Sequence, residues 1–168
     1  MHRALALLLA ALAVPAAAAT FRSTTVEEAA RSSDAVVRGR VERHASRLEA
    51  DGRRIVTDVV IAVSSAWKGS PGARVTVTVP GGVVGEVGMW VSAAPRLADG
   101  EEVVLFLYRR GAGWRVNGLA LGTFRVDGDR AEPDVDEADL VAAPLRAGEA
   151  RIARTSVAEL ERRVRAAR

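Results

Sequence analysis

Few residues of the chain carry side chains suited to covalent or acid–base chemistry. The 168 residues include no cysteine, two histidines (His2 and His44) and a single lysine, Lys68. Nucleophilic and general acid–base catalysis use mainly these residue types, with pKa values tuned by a neighbouring group. His44 stands beside Arg43 in an alternating, exposed-looking segment without an evident orienting partner. We therefore interpret His44 as a surface histidine and expect a protein that is not an enzyme.

Carboxylates are the remaining candidates for chemistry, and they are concentrated in residues 127–139. Carboxylate oxygens suit Ca²⁺, but their spacing here is not that of a calcium-binding loop. One histidine after residue 2 and no cysteine also exclude a zinc set of the usual kind. We expect no metal and no cofactor, and we interpret residues 127–139 as an acidic surface segment. A hydrolase that uses carboxylates alone stays open, with Glu101 and Asp127 as the residues to test.

Glycines and scattered aromatic residues define the candidate binding region. Gly81, Gly82, Gly85 and Gly88 are not followed by the Gly-Lys-Ser/Thr of a phosphate loop, so they predict a mobile or tightly turned loop. We expect a partner to bind at residues 81–99. The candidate binding side chains are Trp67, Lys68, Met89, Trp90, Arg96 and Tyr108. Packing in the core is the alternative role of the aromatic ones.

The N-terminus has the three parts of a secretory signal peptide. A basic start, Met1–Arg3, precedes an apolar run, Ala4–Val14, and small residues up to Ala19. The run is too short to span a membrane, so we predict cleavage between Ala19 and Thr20 rather than an uncleaved anchor. We expect a periplasmic or secreted protein with no stable membrane anchor after cleavage. The lack of cysteine excludes a lipid anchor there.

The formal net charge of +3 is carried almost entirely by arginine. Arginine in place of lysine, with abundant alanine and glycine, is typical of a GC-rich genome. Since export also separates the chain from cytoplasmic nucleic acid, we expect no nucleic-acid partner.

Period-two apolar patterns dominate residues 35–126 and predict a mainly β protein. Val103–Tyr108 is apolar on both faces, which is typical of a central strand buried on both sides. Capping boxes at Thr25 and Ser156 predict a short helix, Val26–Ser32, and a C-terminal helix that docks on the domain or frays. We predict a small five- to six-stranded OB-like barrel, with a sandwich as the alternative. The predicted division is 1–19 signal peptide, 20–130 β-barrel domain, 131–154 acidic or irregular linker and 155–168 C-terminal helix.

Several segments resemble known exported domains. Ser33–Val37, Gly39 and Val41, followed by Trp67-Lys68-Gly69, resemble the opening of the OB-like domain of tissue-inhibitor-of-metalloproteinase and netrin modules. Segments 80–82, 100–107 and 118–126 resemble uncharacterised exported bacterial domains, some of which accompany secreted metallopeptidases. The resemblance implies a five-stranded barrel. It transfers no active residue, because inhibitors of that family ligate the protease metal through an N-terminal cysteine and Thr20 stands there.

Our leading hypothesis is an exported, non-enzymatic binding or interaction module for an undefined ligand. The second hypothesis is an accessory or inhibitory domain that acts on an exported peptidase. The sequence leaves the partner and the oligomeric state open.

Overall fold

The structure, a computed structural model, describes residues 21–22, 25–135, 140–141 and 151–167. The predicted signal peptide and its cleavage point between Ala19 and Thr20 lie outside these residues. The elements in chain order are β1 (Phe21–Arg22), α1 (Val26–Ser32), β2 (Ala35–Leu48), β3 (Ile55–Lys68), β4 (Arg74–Pro80), β5 (Gly82–Val84), β6 (Val87–Met89), β7 (Glu102–Arg110), β8 (Gly113–Val116), a 3₁₀ turn (Leu119–Gly122), β9 (Thr123–Asp127), β10 (Arg130–Pro133), β11 (Leu140–Val141), β12 (Thr155–Ser156) and α2 (Val157–Ala166).

Most of the described strands belong to one sheet, in the order β12-β10-β9-β7-β2-β3-β4-β8. The prediction of a mainly β protein with two helices is confirmed. Apolar alternation predicts two strands, 35–44 and 55–63, joined by a turn at Asp51-Gly52. The strands β2 and β3 form this antiparallel hairpin. Both are longer than predicted, because β2 continues from His44 to Leu48 and β3 continues to Lys68. Outside this sheet, β1 pairs with β11 and β5 pairs with β6.

The sheet has an apolar core on each face because successive side chains of a strand lie on opposite faces. Along β7, Val103, Leu105 and Leu107 belong to the core lined by β2, β3 and β4. Val104 and Phe106 belong to the other core, which the helices cover. All five side chains are fully buried, so the prediction of a strand buried on both sides is confirmed.

Both helices begin where the sequence predicts. The Thr25 hydroxyl accepts a hydrogen bond from Glu28 N–H, and the Ser156 hydroxyl accepts one from Glu159 N–H. The apolar face of α2 is buried in the core that β7 shares with α1, with Leu160 fully enclosed. The C-terminal helix therefore docks on the sheet rather than fraying.

An ion pair joins the two helices at the edge of this core. Arg163 Nε donates to Glu27 Oε1 at 2.7 Å, and Nη2 donates to Oε2 at 2.9 Å. These hydrogen bonds from Arg163 hold the pKa of Glu27 below its ordinary value, against the opposing effect of partial burial. The ion pair adds to the apolar packing between α2 and α1, and it does so only while Glu27 is ionised.

The turn signal Asp127-Gly128-Asp129 predicts the end of the sheet region, and this prediction is wrong. These residues form the turn between β9 and β10, and β10 pairs with both β9 and β12. Asp134 is buried as well, and its carboxylate is satisfied there by hydrogen bonds from Arg125 Nη2 and from Arg96 N–H. The start of the predicted linker, 131–134, therefore belongs to the sheet and its packing. Residues 136–139 and 142–150 of that linker lie outside the described part of the chain.

Candidate functional site

The glycine-rich segment after β4 forms a short hairpin, β5–β6, and not an open loop. Gly82 pairs with Met89 and Val84 pairs with Val87 in an antiparallel register. The sequence predicts a short strand at Met89–Val91, and the observed strand, β6, lies two residues earlier in the chain. Gly81 and Gly82 have φ values of +89° and +132°, which side-chain-bearing residues rarely adopt. The glycines thus serve a tight turn, one of the two possibilities that the sequence leaves open.

Two hydroxyl groups anchor the hairpin to the β2–β3 pair. Thr57 Oγ1 donates to Gly81 O at 2.8 Å and lies 2.8 Å from Ser46 Oγ. Because the only proton of Thr57 is committed to Gly81, Ser46 must donate to Thr57. Ser46 Oγ also accepts from Val83 N–H at 3.3 Å. A Cβ added at Gly82 would overlap both hydroxyl oxygens, so the hairpin approaches β2 and β3 closely only because residue 82 is glycine.

A groove of about 710 Å³, here called the hairpin groove, lies between this hairpin, residues 90–97 and the strands beneath. Its apolar lining includes Val59, Val79 and Leu97, which also belong to the core between β2, β3, β4 and β7. Met89, at the end of the hairpin, also lines the groove, as do Trp90 and Arg96 from the segment that follows. The hairpin groove is therefore an opening onto one of the two apolar cores of the sheet.

The hairpin exposes apolar side chains beside this groove. Trp90 is 83% exposed, Val83 is 65% exposed and Val87 is 64% exposed. Leu48, at the end of β2, is the other large apolar side chain that is exposed in the described residues, and it does not line the groove. Clustered apolar exposure of this kind marks surfaces that contact a partner, whereas single exposed residues are ordinary.

A histidine–carboxylate pair lies at the rim of the hairpin groove. His44 Nδ1 is 2.7 Å from Asp99 Oδ1, and both side chains are about half exposed. Asp99 is thus an orienting partner for His44, and no local sequence pattern reveals it because the two residues are 55 positions apart. A hydrolase would also need a nucleophile with an available proton. The nearby Ser46 hydroxyl donates to Thr57, so this arrangement does not activate it.

A second groove, here called the arginine groove, adjoins the first at Arg96, which lines both. It encloses about 540 Å³, and its described lining is Arg96, Arg125, Glu132, Pro133, Asp134, Val135 and Arg154. Asp134 pairs with Arg125 and, at 3.8 Å, with Arg96, while Glu132 pairs with Arg154. Three guanidinium groups face two carboxylates, so the described lining carries one net positive charge.

The sequence-predicted binding residues separate into two groups. Met89, Trp90 and Arg96 come together at the hairpin groove. The others lie elsewhere: Trp67 is 1% exposed and packs between sheet and helices, so its indole offers no surface to a partner. Lys68 Nζ donates to Ala30 O at 2.7 Å and to Arg31 O at 3.1 Å, which holds the end of α1.

Tyr108, the sixth candidate, is half-buried on β7 and pairs across the sheet with Arg115. It lines neither groove. Val83 and Val87 lie in the predicted binding region, 81–99, but are not among the predicted binding side chains, because valines in a glycine-rich segment carry no periodic signal. Arg125 and Asp134 were missed for a similar reason, since their pairing depends on the turn between β9 and β10.

In the described residues, no three histidine or carboxylate side chains are grouped so that they could hold a metal ion. No helix among those residues is long and apolar enough to cross a membrane. No family model matches the chain, and no curated protein matches it.

Proposed function

We propose that the protein is an exported binding module that holds a partner protein at the hairpin groove. The observation that carries this proposal is the exposure of Val83, Val87 and Trp90 on a firmly anchored hairpin, directly beside an apolar groove. Tryptophan is enriched among the few residues that carry most of the binding energy of a protein interface, because its large rigid ring is buried at small entropic cost. A preformed support lowers the cost of ordering the surface on binding.

We also propose that the strands supporting this site form a small OB-like barrel. The pairings run from β2 to β3, β4, β8 and β7 and return to β2, with β4 and β8 parallel. The parallel join involves one residue pair, Val77 with Trp114. A five-strand cycle with one parallel pair supports the barrel implied by the resemblance to inhibitor and netrin modules. The hairpin groove then lies where the barrel interior meets solvent.

Capture of partners from the exported fraction of the producing cell tests the binding proposal. The intact protein, Trp90→Ala, Val83→Ser and the control Leu48→Ser are compared as baits. Leu48 is exposed and apolar but does not line the groove, so its replacement controls for general stickiness. We expect a partner that binds the unchanged protein and Leu48→Ser, and that binds Trp90→Ala at least about tenfold more weakly. Equal binding by all four proteins would overturn the proposal.

Tryptophan fluorescence gives an independent measurement on the same complex. Trp67 and Trp114 are 1% and 8% exposed, so quenching by acrylamide reports mainly on Trp90. We expect a captured partner to protect this emission. Unchanged quenching in the complex would place the partner elsewhere on the molecule.

A further inference from the structure

We infer that the partner segment is acidic as well as apolar, with apolar side chains in the hairpin groove and carboxylates in the adjoining arginine groove. This inference rests on the proposed function, because it names the chemistry of the partner held at the same surface. Arg96 lines both grooves, so the two grooves adjoin and one extended segment of the partner can occupy both. The Arg96 backbone is fixed at this junction, since its N–H donates to Asp134 Oδ2 at 2.9 Å.

The arginine groove contains guanidinium nitrogens that make no hydrogen bond to the described residues. The side chain of Arg96 is 67% exposed, and its Nη2 makes an ion pair with Asp134 Oδ1 at 3.8 Å, a distance too long for a hydrogen bond. In the described residues its guanidinium makes no hydrogen bond, which leaves up to five donors for a ligand. Arg154 meets Glu132 through Nε at 2.7 Å, so its two terminal nitrogens remain available. Paired guanidinium donors match the two oxygens of a carboxylate.

Arg125 completes the groove and is held from beneath. Its Nη2 donates to the buried carboxylate of Asp134, which fixes the side chain before any ligand arrives. Its Nε is buried and has no hydrogen-bond partner among the described residues. Because this nitrogen is not accessible to solvent, a ligand would contact the outer part of the Arg125 side chain, which is 43% exposed as a whole.

The surroundings favour a polypeptide over a nucleic acid. Nucleic acids need a basic surface that follows several phosphates, and here Glu132 and Asp134 interrupt the arginines. Exposed valines and a tryptophan beside a compact basic groove instead match a segment in which apolar residues adjoin aspartate or glutamate. Carboxylates of this kind would pair with guanidinium groups at the rim of the interface.

Selection from random twelve-residue peptides displayed on phage tests this inference. The intact protein is the bait, and Arg96→Gln, Arg154→Gln and Trp90→Ala are compared with the control Arg110→Gln. Arg110 is exposed at the end of β7 and lines neither groove. We expect selected peptides that combine apolar residues with neighbouring Asp or Glu. A synthetic copy should bind about threefold more weakly to each groove arginine variant and unchanged to Arg110→Gln.

The outcomes separate the inference from the proposed function. Peptides that require Trp90 but lack acidic enrichment and bind the Arg96 and Arg154 variants normally would overturn the inference alone. Displacement of the peptide by single-stranded DNA would assign the arginine groove to nucleic acid and also overturn it. Failure to enrich any peptide over the Trp90→Ala bait would overturn the proposed function, and the inference with it. Loss of binding when Asp and Glu of the peptide become Asn and Gln would support both.

Discussion

The helix-covered face of the sheet and the hairpin-covered end differ in what holds the covering element. α2 is held by apolar burial, since Val157, Leu160 and Val164 are all enclosed in the core. The β5–β6 hairpin is held by hydroxyl groups and glycine backbone, while its own Val83 and Trp90 remain exposed. Apolar side chains thus stabilise the fold in the first region and are left available in the second. Substitutions of the buried side chains of α2 should therefore lower stability, whereas substitutions of the exposed hairpin side chains should weaken binding.

The largest effect is expected at Leu160, the fully buried leucine of α2. Leu160→Ala removes apolar contacts and leaves a cavity, which should lower the free energy of unfolding by about 3 kcal/mol. Urea denaturation followed by circular dichroism measures the change. Leu48→Ala deletes the same atoms from an exposed leucine and should change stability by less than about 0.5 kcal/mol. If both variants behave alike, α2 does not stabilise the fold by apolar burial.

The next effect concerns the glycine under the hairpin. Gly82→Ala places a Cβ against Ser46 Oγ and Thr57 Oγ1 at a strained φ, so we expect a loss of about 2 kcal/mol. Hydrogen exchange should also show lost protection at Val83 N–H, because its acceptor moves. Gly85→Ala is the matched control, since Gly85 has φ +61° with open space around it and only strain of about 1 kcal/mol applies. Equal losses would mean that close packing at residue 82 is unimportant.

The elements predicted well are those whose signal is local. The α1 boundaries follow from a capping threonine, and burial of β7 on both faces follows from an unbroken apolar run. β10 was missed because Arg130–Pro133 contains one buried apolar residue among polar ones. Its place in the sheet depends on pairing with β9 and β12, which no local pattern reveals.

The candidate site was predicted in part, for a related reason. Met89, Trp90 and Arg96 lie within eight residues of one another, so a single loop prediction brings them together. The pairs of His44 with Asp99 and of Arg125 with Asp134 need the folded sheet to bring them within hydrogen-bond range. The sequence also places Trp67 and Lys68 among the binding residues, because composition does not distinguish an exposed strand end from a strand end that packs against a helix.

A smaller effect, which depends on pH, is expected at the ion pair between the helices. The lowered pKa of Glu27 means that the pair stabilises the fold above the unfolded-state pKa and stops doing so as the pH falls through the folded-state pKa. Glu27→Gln should therefore cost about 1 kcal/mol near pH 7, and the difference from the unchanged protein should shrink below about pH 5. Thermal denaturation between pH 7 and pH 3 measures it. A difference that is constant across this range would contradict the ion-pair origin.

The smallest effect on stability is expected at Trp90, the residue most important for the proposed binding. Its side chain is 83% exposed, so Trp90→Ala removes little buried surface and should change the free energy of unfolding by less than about 0.5 kcal/mol. The fluorescence of the variant should lose its acrylamide-accessible component, because Trp67 and Trp114 are buried. A loss above about 1 kcal/mol would show that the hairpin uses this side chain for its own packing. Unchanged stability together with lost partner binding would show that this apolar side chain serves binding and not the stability of the fold, in contrast to Leu160 of α2.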